Sequence, residues 1–498
     1  MTTETVRIQL EPSGNVVELA RGASLRSSLS LHGIEFPCGG TGLCGGCRVR
    51  VLQGSLSVTQ QDNLFFSAED LAGGWRLACQ AIADGPLVLE CEQWHMEILG
   101  DNSLLSGKGK QGLGVAVDLG TTTIAAQLVD LATGNVLSVE TELNPQAPFG
   151  SDVMSRIRAV LAGADLTTPV RTTIGSMVEK LARRRQQEVA EVLLVGNSVM
   201  HHLFANLDVE PMSHAPFDSP NLDEQVFSAK QLGWPLPPSC RIHFARCLGG
   251  FVGSDVLAGM LAVGMPTSKE MIALVDLGTN GEIAIGNCHR ILYASTAAGP
   301  AFEAASIRMG MRAATGAISR VSMTNGELDA MVIGEQEPRG ICGSGLVDAV
   351  AVGLETGAIL SSGRIANGTK RFSVADPVVL YQADIRELQL AKAAIAAGFK
   401  LLLRSLGVEA ESLGRIHLAG AFGNYVQAVS AIRIGLLEFS RHRILPSGNS
   451  ALRGAKMMLL STSLPALPEM EHVALAADPD FQDEFVNCMN FPEAQQPA

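Results

Sequence analysis

One strand–turn–strand unit occurs twice in this sequence, and the duplication constrains the fold more than any other feature. In each copy an apolar segment runs into Asp-Leu-Gly-Thr and a second apolar segment follows, at residues 113–137 and again at residues 271–292. A solenoid would instead repeat a unit every 20 to about 50 residues. The duplication therefore predicts two related lobes that face each other, within an α/β fold.

Each turn has the composition of a phosphate-binding loop. The first copy offers Asp118, Gly120, Thr121, Thr122 and Thr123, and the second offers Asp276, Gly278, Thr279, Asn280, Gly281 and Glu282. The backbone N–H groups of a glycine-rich turn, together with threonine hydroxyls, donate to phosphate. A carboxylate at the end of a strand holds Mg²⁺, usually through water, because this ion dehydrates reluctantly. The pair of turns thus predicts a site for a phosphate-bearing ligand and a metal ion.

These turns resemble the two phosphate loops of the acetate and sugar kinase, Hsp70 and actin superfamily. A third segment, residues 416–424, resembles the adenosine-binding turn of that superfamily and supplies Gly420, Gly423 and Asn424 as candidate contacts. The resemblance implies a duplicated, ribonuclease H-like ATPase, with lobes at residues 113–268 and 269–498 and with ATP clamped between them. Residues 195–204 and 341–354 are interpreted as hinges between the lobes or as strand-to-helix turns.

We assign the chemical roles in this ATPase to three carboxylates. Asp118 and Asp276 are the candidates for holding Mg²⁺ through water, and Glu282 is the candidate for orienting the attacking water. The alternative is that they only cap the turns. A paired metal site at His201 and His202 is not expected, because adjacent residues do not share a helix face. His417 is interpreted as a core residue rather than a catalytic base.

Four cysteines near the N-terminus predict a [2Fe-2S] cluster. Cys38, Cys44 and Cys47 lie in a loop with five glycines, and Cys79 follows in Leu-Ala-Cys-Gln. Four thiolates hold two irons bridged by sulfide, and the glycines let the loop wrap closely around them. Five residues separate the first two cysteines, one more than in the plant-type spacing. This spacing resembles that of adrenodoxin-type ferredoxins.

Two alternatives to this assignment remain open at the sequence level. Cys91 is the rival fourth ligand, and a structural zinc site is the rival centre, although zinc sites usually pair two Cys-x-x-Cys knuckles and the sequence has one. A predicted hairpin, a helix at residues 24–31 and returning strands indicate a β-grasp domain at residues 1–95. The polar segment 96–112, with four glycines, is predicted to be a flexible linker.

Composition excludes several classes of partner. The chain has 498 residues and a net charge of -13, with no run of Lys or Arg longer than the three arginines at 183–185, so nucleic acid is not an expected partner. It has no apolar stretch of membrane-spanning length and does not begin like a signal peptide, which predicts a cytoplasmic protein without a membrane partner. The oligomeric state, with a homodimer as one option, is left open.

The combination of a [2Fe-2S] domain and an actin-like ATPase resembles the reductive activators of corrinoid proteins over nearly the whole chain. The resemblance implies ATP-dependent, one-electron reduction of cob(II)amide to cob(I)amide on the corrinoid protein of a methyltransferase system, with an external low-potential electron donor. Longer members carry an additional segment before the first phosphate loop, where this chain has only the short linker. Two rival functions are a small-molecule kinase with a regulatory ferredoxin domain and an ATP-binding redox sensor.

Overall fold

The structure is a computed structural model that describes most of the chain. The described residues are 4–11, 15–29, 47–91, 110–183, 185–215, 217–278, 280–324, 326–366, 368, 370–420 and 425–493. The linker predicted at 96–112 falls almost entirely outside these ranges, so it stays a prediction.

A mixed sheet forms the centre of the N-terminal domain. The elements are β1 (Thr5–Glu11), β2 (Asn15–Ala20), β3 (Ala23–Ser24), α1 (Leu25–Leu29), β4 (Arg48–Gln53), α2 (Asp62–Phe65), α3 (Ala68–Ala72), β5 (Trp75–Leu77), β6 (Ile82–Ala83) and β7 (Leu87–Cys91). The sheet has the order β2-β1-β7-β4-β5, in which β1 and β7 are parallel. Alternation along β1 buries Val6, Ile8 and Leu10 on one face, where they pack with Leu25 and Leu89.

The first lobe is built on a six-stranded sheet. Its elements are β8 (Leu113–Leu119), β9 (Thr123–Asp130), β10 (Val136–Leu143), α4 (Val153–Leu161), α5 (Thr167–Ala182), β11 (Val189–Gly196), α6 (Ser198–Ala205), β12 (Gln225–Phe227), α7 (Ala229–Leu232), β13 (Arg241–Phe244) and α8 (Ser254–Ala262). The sheet has the order β10-β9-β8-β11-β13-β12.

The second lobe is built on another six-stranded sheet and two smaller ones. Its elements are β14 (Ile272–Leu277), β15 (Gly281–Gly286), β16 (Arg290–Thr296), β17 (Ala317–Thr324), β18 (Glu327–Val332), β19 (Gly340–Ile341), α9 (Gly343–Glu355), β20 (Arg371–Ala375), β21 (Val378–Tyr381), α10 (Gln382–Leu406), β22 (Arg415–Ala419), α11 (Ala428–Arg433), β23 (Ile444–Pro446), α12 (Ser450–Leu460), β24 (Glu469–His472) and α13 (Phe481–Asn487). The large sheet has the order β23-β22-β14-β15-β16-β24.

The two large sheets share one arrangement of strands. In the first, β8, β9 and β10 form an antiparallel meander and β11 adds parallel to β8. In the second, β14, β15 and β16 form the meander and β22 adds parallel to β14. Asp118 and Asp276 each occupy the next-to-last position of the first strand. The repeated motif therefore delivers two carboxylates to equivalent edges of two sheets.

Helices α8 and α12 join the lobes. Gly454 of α12 lets the helices approach closely, because a Cβ at this position would lie 1.9 Å from the carbonyl oxygen of Ala258 in α8. The apolar face of α12 packs on the first-lobe sheet, although the helix follows the second sheet in sequence. No helix among the described residues is both long and apolar enough to cross a lipid bilayer.

Candidate functional site

A cavity of about 250 Å³ lies between the two large sheets. The structure brings most of the predicted nucleotide-site residues together in its walls: Asp118, Gly120, Thr121, Thr122, Thr123, Asp276, Gly278, Asn280, Glu282 and Gly420. Thr279, Gly423 and Asn424 lie outside the described residues. Gly281 is not among the residues that line the cavity. A Cβ at this position would lie 2.7 Å from Ile395 of α10, so the absence of a side chain there serves helix packing.

The beginnings of four helices also line the cavity. Asn197 precedes α6, Asp255 lies in the first turn of α8, Ser344 lies in the first turn of α9 and Asn449 precedes α12. The first backbone N–H groups of a helix have no partner within the helix, and the helix dipole favours negative charge at this end. The cavity therefore offers several sets of donors to an anionic ligand. The segments predicted as hinges or turns, 195–204 and 341–354, are strand-to-helix turns that contribute two of these helix starts.

The first phosphate loop is fixed by side chains from other elements. Gly120 N–H donates to Thr123 O at 3.0 Å, which closes the turn. Asn144 donates to Gly120 O at 2.9 Å, and Asn197 donates to the Thr121 hydroxyl at 2.9 Å. The buried Arg156 guanidinium donates to Thr121 O. These bonds hold the loop in place before any ligand binds.

Four carboxylates concentrate negative charge at one side of the cavity. Burial raises the pKa of Asp118 to about 6, although Asn449 donates to this carboxylate at 2.9 Å. Burial, with the charge of Asp118, raises the pKa of Asp276 to about 7. Burial and neighbouring carboxylates also raise the pKa values of Asp255 and Glu282. A divalent cation would relieve this repulsion, since a nearby positive charge favours the ionised form.

The carboxylates fit a magnesium ion that keeps its water. Among the described residues, no group of three or more His, Cys, Asp or Glu side chains is placed to hold a metal ion directly. Mg²⁺ commonly retains several waters and takes one or two carboxylates plus phosphate oxygens. Asp118 and Asp276 would hold such an ion through its waters, beside the phosphates of a nucleotide.

Asp255, Asn197 and Asn449 are cavity residues that sequence reasoning missed. Asp255 lies within an apolar helix, and Asn449 is far from both phosphate loops in sequence. A local signal exists for Asp255 and Asn449, because each follows a glycine within two positions. The structure places these two residues and Asn197 at the starts of helices. Asn197 lies in a segment that was interpreted only as a hinge or turn. A cap residue does not reveal from sequence whether it faces solvent or a cavity.

The adenosine-like turn approaches the second phosphate loop closely at Gly420. This residue has φ +87°, and a Cβ there would lie 2.6 Å from both the Asp276 carboxylate and Leu277 O. The left-handed conformation costs an L-residue about 1–2 kcal/mol. We expect Gly420→Ala to weaken ATP binding at least about tenfold, measured by titration calorimetry with Mg²⁺-ATP.

Gly407→Ala is the matched control for this substitution. Gly407 has φ +65° at the end of α10, and no atom lies within 4 Å of its Cβ position. The control carries the backbone cost without the collision, so ATP binding should stay at the wild-type value. Wild-type affinity in Gly420→Ala itself would contradict the close approach.

The nucleotide-free protein is expected to lose stability as the pH rises from 6.5 to beyond 7. Asp276 keeps its proton in the folded state up to a pH of about 7 but has an ordinary pKa of 3.8, so the folded state binds more protons in this window and rising pH favours unfolding. The buried His201 and His417 have pKa values lowered to about 4, mainly by burial, from an ordinary 6.5. Their opposite contribution fades as the pH passes 6.5, where half of the unfolded-state imidazoles are still protonated. Asp255, whose pKa is raised to about 8 mainly by burial and by the charge of Asp118, adds to the loss of stability through the same window.

Thermal unfolding of the wild type and of Asp276→Asn, followed across this pH range, measures the effect. The substitution should flatten the slope and raise the melting temperature at the higher pH, by about 2–4 °C for each kcal/mol of relieved repulsion. Identical slopes for the two proteins would show that Asp276 does not titrate in this window.

Two of the four predicted cluster ligands lie in the described part of the N-terminal domain. Cys47 and Cys79 are both buried, and the backbone N–H of Cys79 donates to the Cys47 sulfur at 3.4 Å. Gln80 lies 3.5 Å from the Cys79 sulfur and donates to it. Cys38 and Cys44 lie outside the described residues. A thiolate pair that accepts N–H donors fits a [2Fe-2S] cluster, whose potential is tuned by such hydrogen bonds.

Cys91, the rival ligand, lies at the end of β7. Its side chain is fully buried in the domain core, and its thiol lies 3.9 Å from Leu89 O. In the sheet it pairs with Val49 of β4. This position favours a packing role, while Cys79 adjoins Cys47.

Known proteins resemble the chain over nearly its whole length. Family models match residues 8–84 as a 2Fe-2S iron-sulfur cluster binding domain, residues 113–268 as the RACo middle region and residues 270–498 as the C-terminal domain of RACo, the ASKHA domain. The corrinoid activation enzyme RamQ of Eubacterium limosum is 36% identical over 420 residues, which cover 76% of this chain and 70% of RamQ. The chain belongs to the RACo-type family of corrinoid activation enzymes.

Further members of this family agree with the assignment. The [Co(II) methylated amine-specific corrinoid protein] reductase of Methanosarcina barkeri is 29% identical over 388 residues, 70% of each chain. A solved structure of a reductive activator for corrinoid, iron-sulfur protein matches with a TM-score of 0.68 and 27% identity over 98% of both chains. The predicted fold class of the corrinoid activation enzyme, a [2Fe-2S] ferredoxin-type domain followed by a two-lobed ASKHA domain, is confirmed.

Proposed function

We propose that this protein reductively activates a corrinoid protein of a methyltransferase system. A corrinoid protein in the cob(II)amide state gains one electron and becomes cob(I)amide, while ATP and water give ADP and phosphate. A [2Fe-2S] cluster supplies single electrons when bound, and an external low-potential donor restores them. One observation carries the proposal: a single chain of this family contains both the Cys47–Cys79 pair and a carboxylate-lined cavity between two lobes.

The energetics explain why a nucleotide cavity accompanies a redox centre. Reduction to cob(I) occurs at a very low potential, and each ~59 mV of deficit costs about 1.4 kcal/mol for one electron. A deficit of a few such steps is roughly 5 kcal/mol, similar to the ~5.5 kcal/mol that shifts a two-state equilibrium from 1:99 to 99:1. We propose that closure of the two lobes around ATP, followed by hydrolysis, supplies a free energy of this size.

Different cavity residues have different roles in ATP hydrolysis. Asp118 and Asp276 would hold Mg²⁺ through its waters, and the glycine-rich loops with Thr121, Thr122 and Thr123 would hold the phosphates. Glu282 faces Asp276 across β14 and β15 and orients the attacking water. Asp255, at the beginning of α8, adds a fourth carboxylate to the same group.

The test compares ATP hydrolysis with and without a cob(II) methyltransferase subunit. We expect the corrinoid subunit in its cob(II) state to stimulate phosphate release and the same subunit in its methylated state to have little effect. A small-molecule kinase would instead transfer the phosphoryl group to an acid or a sugar, and a redox sensor would show negligible turnover. Phosphate release that is indifferent to the cob(II) subunit would contradict the proposal.

A further inference from the structure

The ferredoxin domain contacts both lobes of the ATPase. On the first lobe, the Arg26 guanidinium donates to Pro148 O and lies 5.8 Å from the ring centre of Phe149. On the second lobe, the Arg339 guanidinium lies 4.0 Å from the Glu90 carboxylate, and both side chains are partly buried. One small domain therefore bridges two bodies that enclose a cavity between them.

The first-lobe contact leads directly to the first phosphate loop. Pro148 lies in a turn that begins after Asn144, and Asn144 donates to Gly120 O at 2.9 Å through its side chain. The buried Arg156 donates to Gly150 O at 3.1 Å and also to Thr121 O. The turn that Arg26 contacts is thus tied on both sides to the loop expected to hold phosphate. A shift of that loop moves the surface on which the ferredoxin domain sits.

A further second-lobe residue that influences the ferredoxin domain, Arg308, is connected to the cavity. Arg308 lies between Glu303 and Arg312 in sequence, and the latter two line the cavity. Its backbone N–H donates to Asp384 at 2.8 Å, which anchors the segment. The pKa of Asp70 in the ferredoxin domain is lowered mainly by the Ser67 N–H, with a further contribution from the charge of Arg308. The same segment therefore faces the cavity at its ends and the ferredoxin domain at its middle.

We propose that docking of the ferredoxin domain across the two lobes is coupled to the nucleotide. When the lobes are closed around ATP, the turn at Pro148 on the first lobe and the residues Arg308 and Arg339 on the second lobe form one continuous docking surface. When the lobes open, this surface is divided and the ferredoxin domain is released. This coupling rests on the proposed binding of ATP, and it adds a regulation of ATP binding by the ferredoxin domain. Because coupling between two binding events is reciprocal, loss of docking lowers the affinity for ATP by at most the factor by which ATP strengthens docking.

Arg26→Ala tests this coupling in the full-length protein with its cluster. Arg26 lies outside the cavity and in a different domain, so only coupling links it to ATP affinity. We expect ATP to bind several-fold more weakly to this variant, within the 5- to about 150-fold range of typical coupling factors. Arg21→Ala is the matched control, since Arg21 pairs with Glu4 at 3.0 Å on the same domain and has no part in the interface described.

Charge reversal at Arg339 provides an independent variant. Arg339→Glu places two carboxylates together and should also weaken ATP binding, and a second substitution, Glu90→Gln, should restore part of the loss. The absorption and electron paramagnetic resonance spectra of the cluster verify that the ferredoxin domain is folded. Hydrogen exchange in the turn at 147–149 should slow with ATP in the wild type and remain fast in Arg26→Ala.

The outcomes separate this inference from the proposed function. Wild-type ATP affinity and wild-type exchange in Arg26→Ala and Arg339→Glu, with intact cluster spectra, would overturn the coupling and leave the ATPase assignment standing. Failure of the wild type to bind ATP would instead overturn the proposed function itself. Selective weakening in the interface variants, with Arg21→Ala unchanged, supports the coupling.

Discussion

Cys79→Ser is expected to reduce electron transfer to a cob(II) partner more than about 100-fold while ATP hydrolysis without the partner stays close to the wild-type rate. Loss of a thiolate ligand removes the cluster or shifts its potential strongly, since changes even in the groups around metal ligands cost about 10- to 100-fold. The nucleotide cavity lies in other domains and should be intact. The measurements are cluster absorption, the rate of cobalt reduction and the rate of phosphate release.

Cys91→Ala is the control that separates the two candidate fourth ligands. Cys91 is buried in the core of the same domain, so its truncation removes packing without removing a thiolate beside Cys47. We expect this variant to keep its cluster and its reductase activity, with a modest loss of stability. A Cys91→Ala protein without a cluster, together with a Cys79→Ser protein that retains one, would reverse the ligand assignment.

Asp276→Asn is expected to lower the turnover number for ATP roughly 100- to 1,000-fold, the range seen when one preorganised group that stabilises transition-state charge is removed. The amide keeps the size of the carboxylate but cannot neutralise the metal ion. The pKa of Asp276 is raised by burial and by the charge of Asp118, so the substitution also removes repulsion. The protein should therefore become more stable as it becomes less active.

Asp130→Asn is the control for this substitution. Asp130 ends β9 and accepts hydrogen bonds from the backbone of Ala132 and Thr133 at 2.9 Å, in a turn that does not line the cavity. Its turnover should match the wild type. Steady-state phosphate release, measured over a range of Mg²⁺-ATP concentrations, distinguishes a loss of turnover from a loss of affinity. Near-normal turnover in Asp276→Asn would remove this residue from the metal site.

Short-range signals account for the part of the fold that sequence could predict. Asp118 and Asp276 are recognisable because strand, turn and carboxylate follow each other within a few residues. Helix α10 covers Gln382–Leu406, and Gly407 directly after it ends the helix with φ +65°. In each case the determining contacts are local, so periodicity and a stop signal suffice.

Long-range packing decides the part of the site that sequence could not predict. Asn449 reaches Asp118 across 331 positions of sequence because α12 crosses to the first lobe. Asp255 becomes a cavity residue through the packing of α8 between the sheets, and no motif marks it. Gly281 illustrates the converse, because a glycine in a phosphate-loop pattern is used for contact with α10. Such roles depend on tertiary neighbours that a local pattern does not contain.

The most direct test of ATP-driven corrinoid activation is the absorption spectrum of a cob(II) partner mixed anaerobically with the reduced protein. We expect the cob(I) band to appear with Mg²⁺-ATP and to stay near background without nucleotide. Equal reduction in the presence and absence of ATP would contradict it.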